Sequence, residues 1–334
     1  MAESPAAPAA GRAQCTGAVL MVRPACFGYN PQTAASNDLQ QQAALPAAVL
    51  VAQAQAEFDG FVNALRAEGI AVHVAEDSAE PCKPDAVFPN NWVSLHSDGT
   101  VVLYPMLAAN RRLERQLSFI KALEPALGFR CQRLLDFSPH EQQGRYLEGT
   151  GSLVLDHVRR IAYANRSART DEGLVREWAQ ALHYQPVIFD ALDERGAPYY
   201  HTNVLLWIGT RCAVLCAEAL PAADRETVRA SLRASGRELI EIDRAAVRAF
   251  AGNLLELCSW DEALGDCSVL VMSGSARAAF TPVQYARLSG SVDSVIVAPV
   301  QLIEQVGGGS VRCMLAEVHL PKLGRASLNP ASMS

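Results

Sequence analysis

Short apolar runs alternate with amphipathic segments along this chain. Val51, Phe58, Phe61 and Leu65 recur at the spacing of one helical face, and Gly69 follows where such a helix would end. Apolar runs of four or five residues on either side of this segment are typical of buried strands. The elements predicted for the first part of the chain are strand 18–22, helix 46–68, strand 70–74, strand 101–104, helix 111–127 and strand 131–137. This mixture predicts an α/β protein.

From residue 147 onward the same elements return as a repeat. Each unit reads strand–strand–helix–strand with a period of roughly 50 to 60 residues, and each begins with a polar or glycine-rich motif. The predicted units are strands 147–155 and 160–164, helix 171–184 and strand 187–189; strands 201–207 and 212–216, helix 222–235 and strand 238–242; strands 253–257 and 269–272, a helix from residue 282 and strand 295–297. A closed ring of such ββαβ units would hide its sheet edges and gather the polar starts around one central hollow.

The polar starts of these units are the candidate site. In a ring they occupy equivalent ends of successive modules, so we expect them to converge. They are Asp85, Asn90, Asn91, Glu148, His201, Asn203 and Cys313. The loop 84–92 also carries Phe88 between polar side chains and prolines, which is typical of a ligand-contact segment. A simple turn between strands is the alternative, because Asn and Asp are common turn residues.

Cys313 follows three consecutive glycines at 307–309. Glycine lets a ligand approach the backbone closely, so a thiol after such a loop can lie at the floor of a cleft. Free cysteine also packs as a small apolar residue, which is the alternative for Cys313 taken alone. The predicted convergence with His201 and Glu148 favours a nucleophile.

Composition limits the remaining possibilities. The chain has 334 residues, half of them hydrophobic, which suffices for one large domain or two ordinary ones. We predict a single domain over 18–324, a disordered tail over 1–17 and a flexible tail over 325–334. The net charge of −6 argues against a nucleic-acid partner. No apolar run approaches the roughly 20 residues of a membrane helix, and residues 1–17 lack the apolar core of a signal peptide. A cytoplasmic protein is expected, with no membrane partner.

The nine cysteines are scattered, and most lie within apolar, strand-like runs. That pattern is typical of free thiols in a reducing cytosol and not of a disulfide framework. Cys212 and Cys216 lie in one alternating run, and no second Cys or His pair follows at zinc-site spacing, so core packing is favoured for both. Neither a metal nor a cofactor is predicted.

Five motifs, in order along the chain, resemble those of the guanidine-modifying (amidinotransferase, or pentein) superfamily. They are Asp85-Ala86-Val87-Phe88, Leu147-Glu148-Gly149, Ser167-Ala168-Arg169-Thr170, His201-Thr202-Asn203 and the segment from Gly307-Gly308-Gly309 to Cys313-Met314. The superfamily includes arginine deiminases, dimethylarginine dimethylaminohydrolases and N-succinylarginine dihydrolases. Met21-Val22-Arg23-Pro24 and Pro89-Asn90-Asn91-Trp92 are similar to the citrulline-utilisation hydrolases in particular. The resemblance extends from Val19 to Pro321 and implies a five-module α/β-propeller.

The resemblance also implies roles for individual residues. Cys313 would attack the central carbon of a guanidino or ureido group as a thiolate. His201 would protonate the departing amine and then activate water, and Glu148 would orient that histidine or hold substrate N–H groups. Arg169 and either Arg112 or Arg111 match arginines that bind the substrate α-carboxylate, a role that suits a guanidinium. The loop around Phe27 and Asn30 is predicted to cover the site.

The amides distinguish this chain from arginine-directed relatives. Asn90, Asn91 and Asn203 occupy positions where those relatives commonly hold charged residues. A buried carboxylate facing a neutral ligand would be an unpaired charge, whereas an amide offers both donors and an acceptor, which suits a ureido group. The predicted substrate is therefore citrulline, cleaved through an S-carbamoyl-cysteine to ornithine, ammonia and carbon dioxide.

Two alternatives remain open at this stage. One is a deiminase or dihydrolase that acts on arginine or a substituted arginine, and the other is a catalytically silent ligand-binding pentein. In all three cases the partner is a small amino acid. Asp85 either contacts the substrate or supports its loop, and a homo-oligomer is left open.

Overall fold

The computed structural model describes residues 14–261 and 265–322. In this part of the chain, fifteen strands form five three-stranded sheets. Sheet by sheet, the strands are β1 (Ala18–Arg23), β2 (Ala71–Glu76) and β15 (Ala316–Glu317); β3 (Val93–Leu95), β4 (Thr100–Leu103) and β5 (Arg133–Asp136); β6 (Val154–Asp156), β7 (Ile161–Asn165) and β8 (Gln185–Phe189); β9 (Leu206–Ile208), β10 (Cys212–Leu215) and β11 (Glu238–Glu241); β12 (Leu255–Asp261), β13 (Gly265–Ser273) and β14 (Ser294–Ala298).

Every sheet repeats one pattern of connection. In four of them the middle strand pairs antiparallel with the strand before it and parallel with the strand after it, as β4 does with β3 and β5. In the remaining sheet β1 pairs parallel with β2 and antiparallel with β15, so a strand near the C-terminus completes the sheet begun near the N-terminus. These are the predicted ββαβ modules, and the five-module α/β-propeller is confirmed.

Four of the five predicted helices are present among the described residues, and several short helices are added. They are α1 (Pro31–Ala34), α2 (Ala47–Ala67), α3 (Leu117–Lys121), α4 (Leu123–Leu127), α5 (Gly149–Ser152), α6 (Glu172–Leu182), α7 (Ala222–Ala234), α8 (Arg244–Arg248), α9 (Gly274–Ala279) and α10 (Pro282–Ser289). Helix α2 buries Phe58, Phe61 and Leu65, as its spacing predicts. Among the described helices, none combines the length and the apolar character that a membrane crossing requires.

The single helix predicted over 111–127 is wrong. The chain forms a 3-10 turn over Ala109–Glu114 and then two short helices, α3 and α4, that meet at Ala122. Pro125 explains the break, because a proline has no N–H to donate and its ring clashes with the carbonyl four residues earlier, here that of Lys121.

Apolar clusters between sheets and helices hold the site-bearing segments in place. One cluster joins Val311, Met314 and Leu315 to Phe58 of α2 and to Met21 of β1. Each of these side chains is almost fully buried. The turn that carries Cys313 is therefore anchored in the core on both sides of the cysteine.

The predicted N-terminal tail is too long. Residues 14–17, which it included, are ordered against the propeller: Gln14 donates to the Leu155 carbonyl at 3.0 Å, and the Thr16 hydroxyl donates to the Val318 carbonyl at 2.6 Å. Residues 1–13 and 323–334, which include the rest of the predicted tails, lie outside the described residues.

One pair of cysteines departs from the prediction of free thiols. Cys26 and Cys82 form a disulfide, with their Cα atoms 5.5 Å apart. They come together because the loops after β1 and β2 are neighbours at one edge of the same sheet, a proximity that their sequence separation of 56 conceals. Cys212 and Cys216 are unbridged and lie within an apolar cluster, as predicted.

Candidate active site

The polar starts of several modules surround one narrow, largely buried pocket. The residues that line it are Thr33, Asn37, Gln40, Asp85, Phe88, Asn91, Arg111, Arg169, Tyr200, His201, Gly307, Gly308, Gly309 and Cys313. Seven of them, counting Arg111, belong to the residues proposed from sequence, and they come from positions far apart along the chain. Glu148 lies directly behind His201, Asn203 lies beside Cys313, and Asn90 is fully buried behind the pocket wall.

Cys313 lies in the turn just before β15, and its side chain is only 3% exposed. Its backbone N–H donates to the Ser310 carbonyl at 2.9 Å, which shapes the turn. The sulfur accepts from the side-chain amide of Asn253 at 3.4 Å and from that of Asn203 at 3.7 Å. The Oδ1 of Asn253 also lies 3.8 Å from the sulfur, so two amide side chains fix its position.

Asn253 is a site residue that sequence reasoning missed. Its Nδ2 also donates to the Asn203 carbonyl at 3.0 Å, and its Oδ1 accepts from the Arg312 N–H at 3.1 Å. One amide therefore holds the cysteine turn to the start of another module. The signal was present in the sequence, because Asn253 begins a repeat unit as Asn203 does.

His201 and Glu148 come from neighbouring modules and form a buried pair. His201 Nε2 lies 2.9 Å from a Glu148 carboxylate oxygen, and both side chains are about 98% buried or more. Burial lowers the pKa of His201 to about 4, against the opposing effect of Glu148. Burial alone would raise the pKa of Glu148, but Arg169 and His201 outweigh it and hold that pKa below its usual range. The pair is therefore a neutral imidazole beside a carboxylate. The proton of the imidazole is on Nε2, and this N–H donates a hydrogen bond to Glu148.

Two glycines after Glu148 make this arrangement possible. Gly149 has a φ of +47°, and a Cβ there would lie 2.2 Å from the Asn90 carbonyl oxygen. A Cβ on Gly151 would lie 2.7 Å from the ring of His201. The motif Leu147-Glu148-Gly149-Thr150-Gly151 therefore allows the imidazole and a neighbouring backbone to approach α5 closely.

Arg169 joins Glu148 to the segment 30–40, which is called the covering segment below. One of its nitrogens donates to Glu148 at 3.3 Å, and another donates to the Thr33 carbonyl at 3.1 Å and to the Ser36 hydroxyl at 2.8 Å. The guanidinium carbon also lies 5.1 Å from the centre of the Tyr200 ring. Substrate binding by Arg169 stays a prediction, since its donors are occupied here by Glu148 and by the covering segment.

The covering segment, from Asn30 to Gln40, contributes Thr33, Asn37 and Gln40 to the pocket lining. That the loop around Phe27 and Asn30 acts as a lid stays a prediction. Asn37 and Gln40 donate to the carbonyls of Gly308 and Gly307 at 3.0 and 2.9 Å. Phe88 packs from the other side, close enough that a Cβ on Gly307 would lie 2.8 Å from its ring. The glycine run is thus held between the covering segment and this aromatic ring.

Asp85 is the pocket carboxyl with a free oxygen. Its Oδ2 accepts from the Asn30 amide at 2.8 Å and lies 3.6 Å from Arg111, whereas Oδ1 has no partner among the described residues. Burial raises the pKa of Asp85, although Arg111 opposes this. The Nδ2 of Asn91, the Oδ1 of Asn203 and both amide atoms of Asn90 also have no hydrogen-bond partner among the described residues. Of these residues only Asp85 and Asn91 line the pocket, so their unpaired atoms are positioned to contact a ligand.

The structure corrects the choice between the two adjacent arginines. Arg111 is buried in the pocket wall, where it donates to Glu114 at 2.9 Å and to the Asn91 side-chain oxygen at 2.8 Å. Arg112 points away from the pocket, donates to the Met106 carbonyl at 3.0 Å and pairs with Glu141 at 3.3 Å, and its side chain is 31% exposed. Adjacent side chains on a 3-10 turn project about 120° apart, so only one can face the pocket.

Arg111 and Arg112 therefore make a matched test. We expect Arg111→Met to lower kcat/KM by about 10- to 100-fold, the loss of one charge-assisted hydrogen-bonding group. Arg112→Met should stay within about threefold of the wild type. Steady-state kinetics of both variants, with thermal melts, provide the measurement. Equal losses in the two variants would contradict this placement.

The family model described as N,N dimethylarginine dimethylhydrolase, eukaryotic, matches residues 23–320. Among solved structures, the N-terminal domain of ArgZ, an arginine dihydrolase from cyanobacteria, bound to substrate, has a TM-score of 0.69 and 17% identity over 92% of this chain and 99% of that one. Unliganded AgrE has a TM-score of 0.68 and 18% identity over 92% of this chain and 40% of that one. A dimethylarginine dimethylaminohydrolase adduct has a TM-score of 0.58 and 15% identity, over 91% and 99%. A search of curated protein sequences finds no match.

At these identities the structural neighbours establish a shared fold alone. The family match is stronger evidence, because it spans most of the described chain. It confirms the resemblance to the guanidine-modifying superfamily, but it does not support the citrulline branch in particular. The chain belongs to the N,N dimethylarginine dimethylhydrolase family of the pentein superfamily.

Proposed function

We propose that this protein hydrolyses the guanidino group of arginine or an N-methylated arginine, with Cys313 as the nucleophile. The family match supports this substrate class, and so do structural neighbours that are named as an arginine dihydrolase and a dimethylarginine dimethylaminohydrolase. The observation that carries the proposal is the charge of the pocket.

Buried carboxyl groups around the pocket outnumber buried guanidinium groups. Of the described residues, Asp85, Glu114 and Glu148 face Arg111 and Arg169, and all five are less than about 5% exposed. Burial raises the pKa of Glu114 to about 7 even beside Arg111, so a bound cation would favour the charged form of this carboxyl. Arginine adds one net positive charge, whereas citrulline adds none. A guanidinium would therefore balance the third carboxylate, and a ureido group would not.

This balance of charge outweighs the argument that the three amides favour a neutral ureido substrate. Asn91 Oδ1 is occupied by Arg111, and Asn203 Nδ2 points at the sulfur of Cys313, so two of the three amides serve the protein's own groups. The free Oδ1 of Asp85 is the acceptor that a guanidinium N–H requires. Asp85 is accordingly assigned a substrate contact in addition to its support of Asn30.

The chemistry follows from the three catalytic side chains. The Cys313 sulfur forms a bond to the central guanidino carbon while His201 accepts the thiol proton. The tetrahedral species collapses as the carbon–nitrogen bond to the terminal nitrogen breaks, and His201 returns its proton to the departing ammonia, methylamine or dimethylamine. Water then attacks the S-linked carbon with His201 as base, the carbon–sulfur bond breaks, and the ureido product leaves. Glu148 stabilises the imidazolium formed in each half-reaction.

Incubation with one amino acid at a time tests the proposal. Arginine, dimethylarginine and citrulline are each supplied to the full chain, and chromatography measures amino acids and released amines. We expect consumption of a guanidino substrate with formation of citrulline, or of ornithine if a second hydrolysis follows. Cys131→Ala, which changes an exposed cysteine outside the pocket, should leave the rates unchanged.

Other outcomes assign other functions. Ornithine from supplied citrulline, with both guanidino compounds intact, would contradict the proposal and identify a ureido hydrolase. No turnover of any of the three, with tight binding of one, would identify a ligand-binding pentein.

A further inference from the structure

Three side chains with metal-binding atoms lie together outside the active site. One donor atom from each of His157, Glu317 and His319 lies within 4.8 Å of the other two. His157 follows β6, whereas Glu317 ends β15 and His319 comes just after it. Two modules that are far apart in sequence thus bring the three groups to one place.

In two of the three groups, one polar atom already makes a hydrogen bond and the other remains for a ligand. His157 Nδ1 lies 2.8 Å from the Tyr184 hydroxyl, which leaves Nε2 for a ligand. Glu317 Oε2 accepts from Arg312 at 2.6 Å, which leaves Oε1. Ligating histidines and carboxylates are generally oriented by such outer hydrogen bonds.

The third group has a buried nitrogen with no partner. The side chain of His319 is 10% exposed, and its Nε2 makes no hydrogen bond to any described residue. The nearest carboxylate oxygen, from Glu317, is 3.6 Å away, which is too long for a direct hydrogen bond. The rings of His157 and His319 are tilted by 43° to each other, with centroids 4.5 Å apart. A bound cation would use the lone pairs of both rings.

We propose that His157, Glu317 and His319 bind a divalent metal ion of the zinc class. Two imidazole nitrogens and one carboxylate oxygen are a common zinc ligand set that leaves a fourth position for water. Tetrahedral bonds of about 2 Å place donors about 3.3 Å apart, so small side-chain rotations must close the present spacing. A broad surface hollow lined by His157, Arg160 and His319 gives an ion access.

Arg312 links the cluster to the active site, because its guanidinium pairs with Glu317 Oε2 at 2.6 Å and so fixes that carboxylate. Arg312 also donates its backbone N–H to Asn253, the amide beside Cys313. Occupancy should therefore stabilise the C-terminal strand and its turn.

Zinc binding to the tag-free full chain tests the proposal. Zn²⁺ alone is titrated calorimetrically into Cys313→Ala, which removes the pocket thiol as a competing ligand. We expect one ion per chain and a raised melting temperature. His157→Gln and His319→Gln should each weaken binding by at least about tenfold. His183→Asn, a change at an exposed histidine after α6, should leave it unchanged.

The result is independent of the proposed reaction, because binding is measured in a variant without the nucleophile. Absence of binding to Cys313→Ala, or an affinity in both glutamine variants equal to that of Cys313→Ala, would overturn the proposal. If circular dichroism shows that His319→Gln is unfolded, His157→Gln and Glu317→Gln decide between the two outcomes.

Discussion

Cys313→Ala is expected to abolish turnover of any guanidino substrate, with kcat/KM reduced by at least about 10⁴-fold, because no other group can form the covalent intermediate. The sulfur is the pocket atom that two amides orient, from Asn253 and Asn203. Steady-state kinetics with product chromatography provide the measurement. The fold should persist, since loss of one small side chain in an anchored turn typically destabilises a protein by about 1 kcal/mol.

Two comparisons make the result specific. Cys131→Ala removes an exposed thiol and should retain full activity. Mass spectrometry after an acid quench should detect the substrate-derived adduct on a Cys313 peptide in the wild type and not in Cys313→Ala. Turnover in Cys313→Ala above one per cent of the wild-type rate would remove this residue from the mechanism.

Glu148→Gln should lower kcat by about 10²- to 10⁴-fold while KM changes little, by analogy with the loss of the orienting carboxylate in other triads. The amide cannot supply the negative charge that stabilises protonated His201 during each proton transfer. It also leaves Arg169 without its carboxylate partner, so we expect a loss of about 3 to 5 kcal/mol in the free energy of unfolding. Kinetics and denaturant melts measure the two effects separately.

Glu141→Gln is the matched control for that substitution. Glu141 is also largely buried and paired with two arginines, Arg112 and Arg115, but it lies outside the pocket. We expect Glu141→Gln to lower the free energy of unfolding and to leave kcat unchanged. If Glu148→Gln behaves in the same way, Glu148 is a structural ion-pair partner and not a positioning residue for His201.

Much of the architecture follows from side-chain periodicity. The apolar spacing of Phe58, Phe61 and Leu65 predicts a helix that the structure contains, and the repeat after residue 147 predicts three-stranded modules with their polar starts at one end. Because those starts share an end, Cys313, His201 and Glu148 could be grouped before any coordinates were known. The sequence also indicates a break within 111–127, since Pro125 lies inside this predicted helix.

Other features depend on which distant groups meet. Arg111 and Arg112 are equivalent in sequence, and only the turn that carries them directs one guanidinium into the pocket and the other towards Glu141. Asn253 begins a repeat unit in the sequence, but only the tertiary structure brings its amide to the sulfur of Cys313. The disulfide between Cys26 and Cys82 likewise depends on the parallel pairing of β1 with β2.

The sequence by itself thus determined the modules and their order, because spacing along a strand or helix is a local property of the chain. Only the tertiary structure decided the charge of the pocket, the unpaired oxygen of Asp85 and the meeting of His157 with His319. Electrostatic energy and hydrogen bonding depend on distances between groups, and the closure of the ring sets those distances.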